Sequence, residues 1–340
     1  MLTEQQKADL KLQLSGNKKI AVTTHYNPDG DALGSSLAIA LLLRAKGHHV
    51  DVVVPNVFPS YLTWMPNSDE IIIAAMEFDK ARKIIESADI LFIADMNAAH
   101  RVGRELESIV KNTGAYKIMI DHHPNPICEA GLLYSTTEST SASELVFRFF
   151  KELYPDAPLS LEYANCIYTG MITDTGSLSY SCNRPLIYEI LKELMEIGVD
   201  GELIHRLVYD NYSESRLRLL GVALKNMVVM RDYGTTYLFL TMEDLVENEY
   251  KIGDTEGFVN YGLSLSCAQF TAFFTEKRNR IRISFRSKNQ FDVNQFASRY
   301  FDGGGHKNAA AAYHYDTLEN TILYFQEVVR NHPELKKFKV

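Results

Sequence analysis

"KKIAVTTHYNPDGDALGSSLAIALLLRAKG", residues 18–47, reads as an apolar strand, a polar turn and a helix in immediate succession. Asn27, Pro28 and Gly30 are ordinary turn residues. His25, Asp29 and Asp31 are not explained by a turn, because like charges crowded into so short a span repel one another unless a cation lies among them.

The same rhythm continues outward. "HHVDVVV", "ADILFIA" and "AYKIMI" read as further buried strands, and helices between such runs make a parallel sheet. From Ser141 the pattern turns helical, in "SASELVFRFFKELY", "LSLEYANCIYTGM", "PLIYEILKELMEIG" and "SESRLRLLGVALKNMVVM". After Tyr233 strands return in "TTYLFLT", "CAQFTAFFTEK" and "RIRISFRSK", followed by the helical "DVNQFASRYF" and a last helix near 318–331. The expected fold class is α/β: a parallel-sheet N-terminal domain over 1–210, a helical connector over 211–232, and a smaller α+β C-terminal domain over 233–340, with the active site in the cleft between the domains.

At 340 residues and 46% hydrophobic content the chain exceeds the roughly 250 residues at which single cores stop growing, which agrees with two domains. A formal net charge of -8 argues against gripping long duplex nucleic acid, but a short anion remains manageable by a few local cations. The four cysteines, Cys128, Cys166, Cys182 and Cys267, form no C-x-x-C pair, and no run approaches the roughly 18 apolar residues of a membrane span. No apolar leader opens the sequence, so a cytoplasmic protein without membrane attachment is expected.

Ligands of open parallel sheets bind beyond the carboxyl ends of the strands. The chemistry-bearing residues fall there: His25, Asp29 and Asp31 after the first strand, Asp95 closing "LFIAD", and Asp121, His122 and His123 closing "KIMI". Asp174, in "YTGMITDTGSLSY", follows a helix. His25, Asp29, Asp31, Asp95, His122 and Asp174 are a mixed carboxylate and imidazole set suited to Mn²⁺ or a similar ion, and enough for two ions if Asp95 bridges. Taken singly, Asp95 reads as a turn or helix-cap residue, and for Asp121 a strand-end cap is the lesser alternative. His48 and His49, in "KGHHV", read as a solvated helix end.

"HYNPDGDALGSS", "ADMNAAHRVG", "IDHHPN" and "TGMITDTGSLSY" resemble, in order and approximate spacing, the four motifs of the DHH phosphoesterases. "RISFRSKNQFDVNQFASRYFDGGGHKNAAAA" is similar to the DHH-associated domain of one branch of that family. The resemblance implies two manganese ions, with Mg²⁺ or Co²⁺ as substitutes. His25, Asp29 and Asp95 would hold one, and Asp31, Asp95, His122 and Asp174 the other. It further implies that Asp121 supports a ligand imidazole, that His123 approaches the phosphate or leaving group, and that Arg101 contacts phosphate. Arg104 reads as the solvated face of the next helix, and Ser35 as a helix cap. In the second domain, Arg286, Gly303, Gly304, Gly305 and His306 would grip the substrate, the glycine run being read as a loop.

The branch resembled is that of oligoribonucleases and pAp phosphatases. It implies hydrolysis of RNA fragments to mononucleotides and of 3'-phosphoadenosine 5'-phosphate (pAp) to AMP and phosphate, with water attacking phosphorus in line. Alternatives are a phosphodiesterase for cyclic or linear dinucleotides and a nucleotide-binding regulator without turnover. Family pyrophosphatases have a different second domain. Two departures, Asp302 and Ala311 where glycine is common, would strain the backbone if either position needed positive φ.

Overall fold

The computed structural model describes residues 2–127 and 130–335, which divide into two compact units, Met1–Asn211 and Tyr212–Val340. In the first unit, α1 (Glu4–Gln13) precedes β1 (Lys19–Thr23), α2 (Gly30–Ala45), β2 (His49–Val54), β3 (Ile72–Ile73), α3 (Phe78–Ser87), β4 (Ile90–Ala94), α4 (Arg104–Asn112), β5 (Tyr116–Asp121) and β6 (Leu132–Ser135). Helices α5 (Ala142–Leu153), α6 (Leu161–Asp174), α7 (Pro185–Ile197) and α8 (Gly201–Tyr209) complete it. The sheet is parallel throughout, in the order β3-β2-β1-β4-β5-β6. The direction of winding therefore reverses between β1 and β4, where ligands of such sheets lie.

Strand alternation sends Ile20, Val22, Phe92, Ile118 and Ile120 into a core beneath α2, α5 and α6. Ala21, Leu91, Ile93 and Met119 enter a second core beneath α3 and α4. Helices α3 and α4 bury Ala81 and Ile85, and Leu106 and Val110, against this second core. His48 and His49 differ from the expectation. His48 is buried, its Nδ1 accepting from the Lys18 amide at 3.3 Å, and His49 opens β2 with its ring 3.2 Å from Asp51.

The second unit runs α9 (Glu214–Lys225), β7 (Val228–Met230), β8 (Thr235–Leu240), α10 (Met242–Glu247), α11 (Phe258–Leu263), β9 (Phe270–Lys277), β10 (Arg280–Ser287), α12 (Val293–Tyr300), β11 (Asp302–His306), β12 (Ala309–His314) and α13 (Leu318–Asn331). Its sheet is mixed, in the order β11-β12-β10-β9-β8-β7, with β8 and β9 parallel. The segment read as a connector carries α9, whose Leu219 and Ala223 pack with Leu238, Leu240 and Phe273 of this sheet. Phe270, Phe274, Phe285, Phe296 and Phe325 fill the opposite face beneath α12 and α13. The run Gly303–Gly305 is a strand rather than a loop. A Cβ on Gly303 would lie 2.3 Å from the Ala311 carbonyl and one on Gly305 2.5 Å from that of Ala309, so glycine permits the pairing of β11 with β12. Asp302 and Ala311 both keep negative φ, so neither replacement strains the chain. Cys166, Cys182 and Cys267 are free thiols, and Cys128 lies outside the described residues.

Helices α2 and α6 cross backbone against backbone. A Cβ on Gly34 would stand 2.6 Å from the Cys166 carbonyl oxygen. Gly34→Ala is expected to cost about 2 kcal/mol, the overpacking term exceeding alanine's better helix propensity. Urea unfolding followed by circular dichroism measures it, and an unchanged midpoint would contradict the tight crossing.

Candidate metal centre

The turn after β1 is built by its own polar groups. Asp29 is the N-cap of α2, and its Oδ1 accepts from the Asp31 and Ala32 amides at 3.1 Å. That takes the capping role expected of Ser35, which instead lies inside α2, buried, and donates back to the Asp31 carbonyl at 2.7 Å. Asn56, two residues past β2, fixes the turn from outside: its Oδ1 accepts from the Asn27 amide at 2.7 Å and its Nδ2 donates to Asn27 Oδ1 at 3.0 Å.

His25 leaves β1 buried. Its Nδ1 faces the Tyr26 carbonyl at 3.0 Å, and because a carbonyl only accepts, that nitrogen carries the proton and Nε2 is directed to the acids. Nε2 lies 3.3 Å from Asp95 Oδ2 and 4.0 Å from Asp29 Oδ2. Asp95 follows β4 with φ 53, a left-handed conformation that aspartate tolerates better than most residues, and it is 2% exposed. Its Oδ1 is 3.4 Å from His122 Nε2, which in turn is 3.5 Å from Asp174 Oδ2 and 3.9 Å from Asp31 Oδ2.

Two sets of donors thus meet at Asp95. The donor atoms of His25, Asp29 and Asp95 lie within 4.8 Å of one another, as do those of Asp31, His122 and Asp174. Several of these spacings are too long for good hydrogen bonds, but they suit donors each about 2.1 Å from a shared small divalent cation. Asp95 Oδ1 is buried without a hydrogen-bond partner, as expected of an oxygen reserved for a cation. Oxygen and imidazole donors without thiolate fit Mn²⁺ or Mg²⁺.

The electrostatics point the same way. Burial, reinforced by the charges of Asp95 and Asp174, pushes Asp31 well above the usual carboxylate range. Burial opposes ionisation of Asp95 too, but His122 and His25 outweigh it and hold this carboxyl well below the usual range. Asp31 gains support from a place the sequence did not reveal. Its Oδ2 and Oδ1 accept from the Ala142 and Ser143 amides at 2.6 and 2.9 Å, so it caps the N-terminus of α5. Gly170 leaves the room, since a Cβ there would lie 2.8 Å from Asp31 Oδ1.

Asp121 closes β5, fully buried. Its carboxylate accepts from the His123 amide at 3.0 Å and faces His123 Nδ1 at 2.8 Å, so the imidazole it orients is that of His123. Burial pushes Asp121 up to about 7, with the Asp95 charge adding to the shift. Arg101 sits in a short 3-10 turn, Ala99–Val102, its carbonyl accepting from the Tyr26 amide at 2.7 Å and its guanidinium 3.5 Å from Asn97 Oδ1. Its charge reaches both His25 and Asp121. Arg104 begins α4, exposed as expected. In the second unit, Arg286 and His306 both register with Ala309, from β10 and β11, so they share one sheet face across β12.

Comparison with known proteins fits this geometry. The family model "DHH family, N-terminal domain" matches residues 19–171 and the model "DHHA1 domain" matches residues 234–331. A probable bifunctional oligoribonuclease and PAP phosphatase of Streptococcus mutans is 25% identical over 306 residues, 90% of this chain and 92% of that protein. The crystal structure of an exopolyphosphatase-related protein from Bacteroides fragilis is 40% identical, with a TM-score of 0.93 over 99% of this chain and 100% of that one. The exonuclease RecJ bound to manganese shares the fold at 18% identity and a TM-score of 0.54, over 97% of this chain and 94% of that one. With both domain models matched in order and the motif acids gathered at the strand ends, the chain belongs to the DHH family of phosphoesterases, with a DHHA1 domain as its second unit.

Proposed function

We propose that the chain is a two-cation phosphoesterase that cleaves short oligoribonucleotides to mononucleotides and hydrolyses pAp to AMP and phosphate. The observation that carries the reading is the meeting of two ligand sets at one buried carboxylate, Asp95. The Streptococcus mutans relative, named for both activities and matched over nearly its whole length, supports the choice of substrates. The manganese of the RecJ structure supports the choice of metal.

His25, Asp29 and Asp95 would hold one ion, and Asp31, Asp95, His122 and Asp174 the other. Two such cations supply Lewis-acid activation of water and neutralise charge on the phosphoryl oxygens. The protein's own groups do the rest. Asp121 fixes His123 through Nδ1, which leaves Nε2 to carry a proton to the leaving oxygen as its bond to phosphorus breaks. Arg101 offers a fork for the non-bridging oxygens. Arg286, Gly303, Gly304, Gly305 and His306 bind the part of the nucleotide that does not react. The buried unpaired oxygen of Asp95 favours a metal-dependent enzyme over a binding protein without turnover, because such a group is costly to keep without a cation.

A substrate panel of pAp, di- to pentaribonucleotides, cyclic dinucleotides and pyrophosphate, with defined metals, tests the reading. Phosphate from pAp and mononucleotides from RNA are expected with Mn²⁺ and are lost on chelation; turnover of pyrophosphate alone would overturn it. Asp95→Ala should remove both ions' shared ligand and lower kcat/KM about a thousandfold or more, several kcal/mol of transition-state stabilisation. Asp121→Asn should lower kcat about 10- to 100-fold while leaving the Mn²⁺ content measured by atomic absorption unchanged. Equal loss of metal would mean that Asp121 serves the ligands instead.

A further inference from the structure

One face of the second sheet carries more positive charge than the grip at Arg286 needs. Register places Arg280, Arg282, Ser284 and Arg286 of β10 on a single face, with Lys277 of β9 opposite Arg280. Helices α9 to α11 cover this face over β8 and β9, through Leu238, Leu240 and Phe273. Over β10, β12 and β11 its floor is small: Ala309, Ala311 and Gly304 register side by side with Arg286 and Ser284. A low floor between basic side chains suits an extended chain lying flat.

Lys277 and Arg282 are both half-buried, and neither has an acid partner among the described residues. The Lys277 ammonium lies 4.1 Å over the Tyr250 ring, and the Arg280 guanidinium 4.1 Å over that of Tyr313. Burial and the charge of Arg282 push Lys277 down to about 8, the response of a cation held near another without a counterion. Asp302, exposed on β11, registers with Tyr313 and is separated from Arg282 by that strand. Two half-buried cations without a carboxylate partner among the described residues, in a chain of net charge -8, have the character of an anion-binding pair.

We propose that Lys277 and Arg282 form a second phosphate subsite, which takes a phosphodiester of single-stranded RNA farther along the chain than the phosphate at Arg286. Four residues of strand separate Arg282 from Arg286, about 13 Å, a span that a nucleoside bisphosphate does not need and that an RNA fragment of several nucleotides fills. The inference rests on the oligoribonuclease reading above and adds a length preference to it. Arg280 and Tyr313, stacked on each other, would border the subsite and offer a face to a base.

The test compares Lys277→Gln, Arg282→Gln and Arg282→Lys in the full chain, each checked for an unchanged melting temperature. With Mn²⁺, the ratio of tetranucleotide to pAp turnover should fall about tenfold for either glutamine variant through KM, and Arg282→Lys should restore part of it. Binding of a fluorescently labelled tetraribonucleotide, read by anisotropy in chelator, should weaken alike, and each glutamine variant should reduce the salt-dependence slope by about 0.7. Equal losses on pAp and tetranucleotide, or none on either, would overturn the subsite. If the wild-type protein turned over neither substrate, the enzymatic reading would fall, and the anisotropy would still decide the subsite.

Discussion

The first unit is organised around an electrostatic conflict at Asp95. Carboxylates from the start of α2, the residue after β4, the end of β5 and the end of α6 converge with three histidines in a largely buried space. Unpaired, such a group would neutralise itself by taking up protons, and burial does push Asp31 and Asp121 that way. Divalent cations would resolve the conflict, and hydrogen bonds to backbone amides at the starts of α2 and α5 hold Asp29 and Asp31 in place. The reversal of strand order opens the crevice, and the Gly34 and Gly170 contacts bring α2, α5 and α6 close enough to close its far side.

The parallel sheet was legible because both of its faces are covered, which leaves β1, β4 and β5 as continuous apolar runs in the sequence. The clustering of Asp29, Asp31, Asp95 and Asp121 was legible because they follow or close those runs, whereas Asp174 ends α6. What could not be read depends on distant partners. Asp31 caps a helix that begins 111 residues later, and no local pattern announces a bond of that reach. Asp121 was expected to support a ligand imidazole, and sequence proximity alone could not tell which neighbouring ring it would meet. The glycine run resembled a loop because glycine is read as freedom of the backbone; its use here is close approach, visible only once β12 lies alongside. His48 resembled a solvated helix end because the Lys18 amide that meets its ring lies 30 residues away, just before β1.

The two sheets divide physical labour. The first, parallel and covered on both faces, gathers negative charge at one end. The second leaves part of a face uncovered and lines it with arginine, lysine and small residues. Such a division would let an acidic protein bind the proposed polyanionic substrates without an overall attractive field, because the attraction is confined to short tracks.

Asp29 and Asp31 are scaffold and proposed cation ligand at once: each ties down backbone amides at the start of a helix while turning toward the cluster. Enzymes commonly become sturdier when an acid crowded into their reactive centre is replaced, because its removal relieves repulsion. These two positions forgo that trade. Erasing either carboxylate unties a helix as it relieves the crowding, so a lineage drifting away from catalysis has little to gain in robustness by discarding them.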